Sequence, residues 1–208
     1  MNRLGPTLLK PRKAPKQTRS VATIEAIHTA TIQVLLAEGV ARLTTTRVAE
    51  RAGVSIGTMY QYYPHKQALL FAIVEQQLET VTAFMLAAAD RLRGRHVGDV
   101  AEGLATAWLD VKTSDSQAFR AIYSIAAEFD LAEGMGRALK HMAEVMSQLL
   151  AAAPDANFED CDAVAFMLAS MIGGSVRTVM DAAASEENLM RLRRELPLAC
   201  RAYVTAAR

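Results

Sequence analysis

Very little in this chain is equipped for covalent chemistry. Its 208 residues include two cysteines, four histidines and one tryptophan. No HExxH, CxxC or glycine-rich phosphate loop occurs, which argues against an enzyme. His28, His65, His96 and His141 stand singly. His141 and Glu144 lie one helical turn apart, but two ligands do not make a metal site. The residues therefore imply no cofactor and no metal. Cys161 and Cys200 suit a reducing compartment. In a helical hairpin turning near Ala184 they would be offset by roughly 10 Å along the axis. A disulfide tolerates only about 7 Å between Cα atoms, so two buried structural thiols are expected.

Proline is scarce and unevenly placed. Three of six lie in residues 1–17, and none occurs between Pro64 and Pro154. Residues that favour strands are also few, so the fold class is all-α, with about nine helices. The first twenty residues have no apolar core of a secretory signal. The charge-free stretch Ala163–Val176 is too short to span a bilayer. A soluble, cytoplasmic protein is the expectation.

Acidic residues are missing where they would matter most. The first twenty residues carry six basic side chains and no acid, and residues 1–66 carry ten Lys/Arg against Glu25, Glu38 and Glu50. The remainder has thirteen against nineteen. A basic head on an acidic body is the charge pattern of a nucleic-acid binder. Residues 1–17, without apolar periodicity, read as a flexible basic arm: either a groove- or phosphate-contacting segment or a solvated tail.

What is present is concentrated between Thr44 and Lys66, which reads TTTRVAERAGVSIGTMYQYYPHK. Thr45 or Thr46 can cap a first short helix, whose apolar stripe is Val48, Ala49 and Ala52. Gly53 follows, where a left-handed residue commonly ends a helix. Val54 can plug the core, and Ser55 can cap a second helix, Ile56–Tyr62. Met59 and Tyr63 should point inward. Ile56, Gly57, Thr58, Tyr60, Gln61 and Tyr62 are left on or near the outer face. Two helices joined by so tight a turn form a helix-turn-helix, whose second helix fits the major groove.

The run AxRAGVSxGTxYxYY, followed by Lys66 and an apolar helix, resembles the DNA-binding domain of the tetracycline-repressor (TetR) family over roughly residues 20–75. The chain departs from the family at two positions. His65 stands where a small polar residue is usual, and Tyr63 where Phe is usual. The resemblance implies DNA contacts from Thr45, Thr46, Ser55, Ile56, Gly57, Thr58, Tyr60, Gln61, Tyr62 and Lys66. Thr46, Tyr60, Tyr62 and Lys66 match positions that grip the phosphate backbone.

Before this hairpin, Ile24, Ile27, Thr31, Val34 and Leu35 recur at helical spacing, with Gly39 closing the segment. Residues 18–66 thus make a three-helix head. The resemblance implies that residues 67–208 form an effector-binding and dimerisation domain. A long helix from Lys66 to about Leu92 links the two. Further helices are expected near Asp99–Lys112, Ser116–Phe129, Met135–Ala153, Glu159–Ala183 and Ser185–Arg208, with Pro197 kinking or interrupting the last. The helix over 159–183 is apolar nearly all round, and Gly173-Gly174 would admit a close neighbour. With Leu189, Leu192, Leu196, Cys200 and Tyr203 on the last helix, it resembles the family's four-helix homodimer interface. The competing reading is burial within one chain.

Trp108, Phe119, Tyr123, Met142, Met146, Met167 and Met171, with Phe129 and Met135, are candidates for the family's effector pocket, since Met and aromatic side chains suit an adaptable cavity. Plain core packing is the competing reading for each. Their sparse charge favours a small apolar or aromatic effector. The sequence therefore reads as a homodimeric regulator, most simply a repressor released from an inverted-repeat operator on double-stranded DNA. Two alternatives remain: an effector-independent DNA-binding or architectural protein, and a helical ligand carrier or enzyme. An apolar cavity separates the first from the main reading, and DNA binding separates the second.

Overall fold

Side chains at Thr44, Ser55, Asp160 and Ser185 each accept from the backbone amide three residues on and so start a helix. The computed structural model describes residues 18–113, 119, 121, 125, 132–181 and 185–208. Among these, eight helices are bounded and there is no strand. They divide between two compact units, residues up to Leu78 with 117–129, and Glu79–Ser116 with Asp130–Arg208.

The first unit holds α1 (Thr18–Arg42), α2 (Thr45–Ala52), α3 (Ile56–Tyr62) and the first half of α4 (Lys66–Leu92). α1 is broken at Gly39, whose φ of 77° lies in the left-handed region that favours glycine. Ile27, Val34 and Leu35 face inward from α1. Val48 and Ala49 of α2, Met59 of α3 and Leu69, Leu70 and Ile73 of α4 are buried as well. Fully burying each large apolar side chain is worth roughly 1.5–3 kcal/mol, so this small core is held by packing.

The second unit continues α4 and adds α5 (Val97–Thr113), α6 (Ala132–Ala151), α7 (Cys161–Asp181) and α8 (Glu186–Ala206). Ser185 caps α8 by accepting from Asn188 N. α5 packs on α8, α6 on α7, and α7 on α8. Leu104, Leu109, Leu150, Leu168, Ile172 and Val204 fill the space between them. Arg201 of α8 donates to Asp99 and Glu102 of α5 at 2.7 and 2.8 Å. Arg193 reaches Asp110 at 3.0 Å. These pairs are half exposed and screened by solvent, so they set register more than stability.

Several expectations change here. The helix expected over 116–129 lies largely outside the described residues, but Phe119, Ala121 and Ile125 are helical and buried. α8 runs on through Pro197. Leu196, Pro197 and Cys200 are buried there, so packing carries the helix past the hydrogen bond that proline removes. Cys200 is buried and free, and burial pushes its thiol up to about 11. Cys161 is free but half-buried rather than buried, because it opens α7 at the surface and donates to Ser147 O at 3.4 Å. Three helical stretches, Ser20–Arg42, Lys66–Leu92 and Cys161–Val179, are long and apolar enough by composition to cross a membrane. Each turns part of its apolar surface into a core, through residues such as Ile27, Leu69 and Leu168.

Candidate nucleic-acid interface

Thr44, not Thr45 or Thr46, caps α2: its extended backbone lets the side chain accept from Arg47 N at 3.3 Å. Thr45 is instead the first helical residue and is 8% exposed. Its hydroxyl donates to Tyr60 Oη at 3.4 Å, tying the start of α2 to α3. Thr46 remains exposed. One residue further along the run of three threonines satisfies the orphan amide equally well, which is why the sequence did not distinguish them.

The turn forms as its residues require. Gly53 takes φ 67°, and Val54 N donates to Ala49 O at 3.0 Å. Ser55 then accepts from Thr58 N at 3.0 Å to start α3. Met59 is fully buried and Tyr63 is 2% exposed, whereas Ile56 and Tyr60 are 41% and 46% exposed. Gly57 and Gln61 are exposed, and Thr58 and Tyr62 half-buried. A Cβ added at Gly57 would meet only Ser55 Oγ, at 3.7 Å. Among the described residues nothing in the head would crowd a side chain there.

Lys66 has a role that its position in the motif did not suggest. It is half-buried, and its ammonium donates to the carbonyl of Val40, just past the Gly39 break. Arg47 pairs with Glu38, and Arg51 donates to Gln33 Oε1 at 2.7 Å.

Beneath the outer face lies a polar group that sequence reading passed over as one of four solitary histidines. His28 is buried at 9% exposure and its Nε2 lies 2.7 Å from Tyr63 Oη, while Nδ1 bonds Gln76 Oε1. Burial lowers the His28 pKa, an effect the Gln76 bond only partly offsets. Burial, and secondarily the neighbouring Tyr62, raise that of Tyr63. The available signal was position: His28 shares the inward face of Ile24 and Thr31.

The effector candidates scatter. Met146 and Phe119 are buried, and Trp108, Met142 and Met171 half-buried. Tyr123 and Phe129 lie outside the described residues, and Met135 is described only as helical. Met167 is 45% exposed beside Phe166 at 58%, so it faces out of the subunit rather than into an interior pocket. Trp108 stands out, because its Nε1 is buried with no hydrogen-bond partner among the described residues. The Lys112 ammonium lies 4.8 Å from the Trp108 ring centroid, and burial lowers its pKa to about 8. An open groove of about 550 Å³ lies elsewhere, lined by Phe84, Arg91, Glu102 and Arg201 among others, and by none of these candidates. Among the described residues no three His, Cys, Asp or Glu gather as a metal site, and His141 Nδ1 faces Glu144 alone at 3.9 Å.

Comparison with known proteins agrees with this geometry. Residues 27–73 match the family model of bacterial regulatory proteins, tetR family. Residues 98–203, more than half of the chain, match the tetracyclin repressor-like C-terminal domain. The nucleoid occlusion factor SlmA of Actinobacillus pleuropneumoniae serotype 5b is 34% identical over 83 residues, 39% of each chain. That of Haemophilus ducreyi is 33% identical over 81 residues, 38% of each. The match thus spans about two fifths of the length of these relatives. A tetR-family regulatory protein from Rhodococcus RHA1 superposes with TM-score 0.66 at 20% identity, covering 88% of this chain and 96% of its own. The SmeT–triclosan complex superposes with TM-score 0.65 at 25% identity, covering 89% and 91%. With a helix-turn-helix head built as described and both family models matched in order, the chain belongs to the TetR family of DNA-binding transcriptional regulators.

Proposed function

We propose that the protein is a cytoplasmic, non-enzymatic repressor that binds an inverted-repeat operator as a homodimer and leaves it when a small effector binds residues 67–208. The observation that carries the reading is the sorting of α3: Met59 and Tyr63 inward, Ile56, Gly57, Tyr60 and Gln61 outward. Ile56 has no hydrogen-bonding group and reads shape, best a thymine methyl. Gly57 admits the backbone close to the bases, and Thr58 and Gln61 supply polar contacts. Thr46, Tyr60, Tyr62 and Lys66 anchor phosphates, with Thr45 and Ser55 holding the helix starts.

Dimerisation is supported by the outer face of α7 and α8. Phe166 and Met190 are 58% and 64% exposed, large apolar side chains that a lone subunit leaves in water. Gly173 and Gly174 on α7 have open space where a Cβ would stand, as a close helix crossing needs. For the effector, the Trp108 Nε1, buried with no partner among the described residues, favours a ligand that offers a hydrogen-bond acceptor as well as an apolar body. α4 is unbroken from Lys66 to Leu92, so movement near the effector reaches the base of the head.

A second reading, a DNA-binding protein without an effector, is favoured by the likeness to nucleoid occlusion factors, though over 39% of the chain. Selection from random duplex DNA tests the main reading. It should enrich an inverted repeat with a T·A pair under Ile56. Thymine-to-uracil replacement there should cost less than the ~1–3 kcal/mol of a lost specific contact, and almost nothing for Ile56→Ala. Trp108 is the only tryptophan, so its fluorescence reports effectors directly. Phenols and apolar carboxylic acids that change it without releasing DNA would favour the second reading.

A further inference from the structure

The outward face of α3 does not account for the rotation at which that helix is held. α3 has seven residues, too few to keep its shape in water unaided. Met59 and Tyr63 are its only buried anchors. Met59 is a flexible thioether, which fills space without fixing an angle. Tyr63 is rigid, ends the helix with its N–H on Met59 O at 2.9 Å, and has a hydroxyl that can be held in one direction.

That hydroxyl is held by a chain of side chains from the two neighbouring helices. With the Gln76 carbonyl oxygen as acceptor, the neutral imidazole of His28 carries its proton on Nδ1, and Nε2 accepts from the Tyr63 hydroxyl. The chain has one direction, and the hydroxyl and imidazole protons are both used in it. If Gln76 moves, the ring turns or loses a bond, and the Tyr63 hydroxyl is left unsatisfied in a site 2% exposed. Gln76 itself is exposed on α4, so the relay runs from the surface of that helix to the end of the recognition helix.

We propose that His28 and Gln76 are positioning residues for operator recognition, acting through the Tyr63 hydroxyl to hold α3 at the rotation that presents Ile56, Thr58 and Gln61, and coupling that rotation to the placement of α4. The proposal rests on the DNA-binding reading. None of the three side chains needs to touch DNA.

The test uses the full-length protein, a duplex that the unmodified protein selects from random DNA, and a scrambled duplex of equal length at the same salt. Gln76→Ala and Tyr63→Phe should each weaken binding to the selected duplex about fivefold, the size of one lost hydrogen bond. Binding to the scrambled duplex, which is driven by phosphates, should stay within about twofold. The double variant should bind no worse than Tyr63→Phe alone, because Gln76 then has nothing to act on. Gln76→Glu, which keeps the acceptor oxygen, should restore the ratio between the two duplexes. Losses that multiply in the double variant, or that fall equally on both duplexes while the thermal midpoint drops, would overturn the relay and leave the DNA-binding reading standing. If the unmodified protein enriches no sequence at all, both fall.

Discussion

Lys66 shows how a single residue can serve the fold and the ligand together. Its ammonium donates to the Val40 carbonyl, holding the start of α4 against the chain that leaves the Gly39 break. An ammonium has three N–H groups, so this bond still leaves donors for a phosphate. Lys66→Ala should therefore lower stability by about 1 kcal/mol, the scale of one hydrogen bond. It should also reduce the slope of log affinity against log salt by about one. Denaturant unfolding and a salt titration of DNA binding separate the two. A lowered stability with an unchanged slope would make Lys66 a purely structural tie. Neighbouring Thr45 teaches the same lesson in reverse: it matches a DNA-contact position, yet it is 8% exposed and bonded to Tyr60. Its contribution to binding would pass through Tyr60, which is exposed.

Among the elements, α5 and α7 have ends and faces whose use is testable. The start of α5 is held from outside the helix by Asp155, which accepts from Val97 N at 2.8 Å and faces Arg208 at 3.1 Å. The Val97 hydrogen bond is the main cause that holds this carboxyl below its ordinary value; desolvation opposes it, and the charges of Arg208 and His96 add to the lowering. A depressed folded-state pKa stabilises the fold above the unfolded value of about 4, and that stability is lost as pH falls through the lower folded value. Asp155→Asn should thus flatten the acid limb of a stability-against-pH curve without changing its shape near neutrality. An acid limb that is identical in the variant would remove Asp155 from this role. On α7, a side chain at Gly174 meets nothing within 4 Å in the subunit. Gly174→Leu should even favour the isolated helix by up to about 1 kcal/mol. If α7 forms the dimer interface, the same change should raise the dimer dissociation constant at least about tenfold in sedimentation, with much poorer operator affinity. A variant as dimeric as the unmodified protein would place Gly174 away from the interface.

At the scale of the whole molecule, charge is divided rather than balanced. Residues 1–66 hold ten Lys/Arg and three Glu, while the chain as a whole has a formal net charge of +1. Five of the basic side chains lie in residues 1–17. Deleting that segment should weaken DNA binding mainly at low salt, by lowering the number of neutralised phosphates. Equal affinity at every salt concentration would show the segment to be a solvated tail.

Much of this protein was legible in the sequence because its signals are local. The cap at Ser55, the turn at Gly53, the extent of α4 and the inward pair Met59 and Tyr63 depend on residues within a few positions of one another. Local spacing was also enough to indicate an all-helical class. Contacts between residues far apart in the chain were decided by tertiary structure alone. Lys66 meets Val40 across 26 positions, His28 meets Tyr63 across 35 and Gln76 across 48, and no periodicity encodes such pairings. The outward turn of Met167 and the burial of the Trp108 indole nitrogen belong to the same class. An apolar residue on a nearly all-apolar helix gives no sign of which neighbour it will face. That choice is made when the helices pack, because only then do burial and exposure acquire a direction.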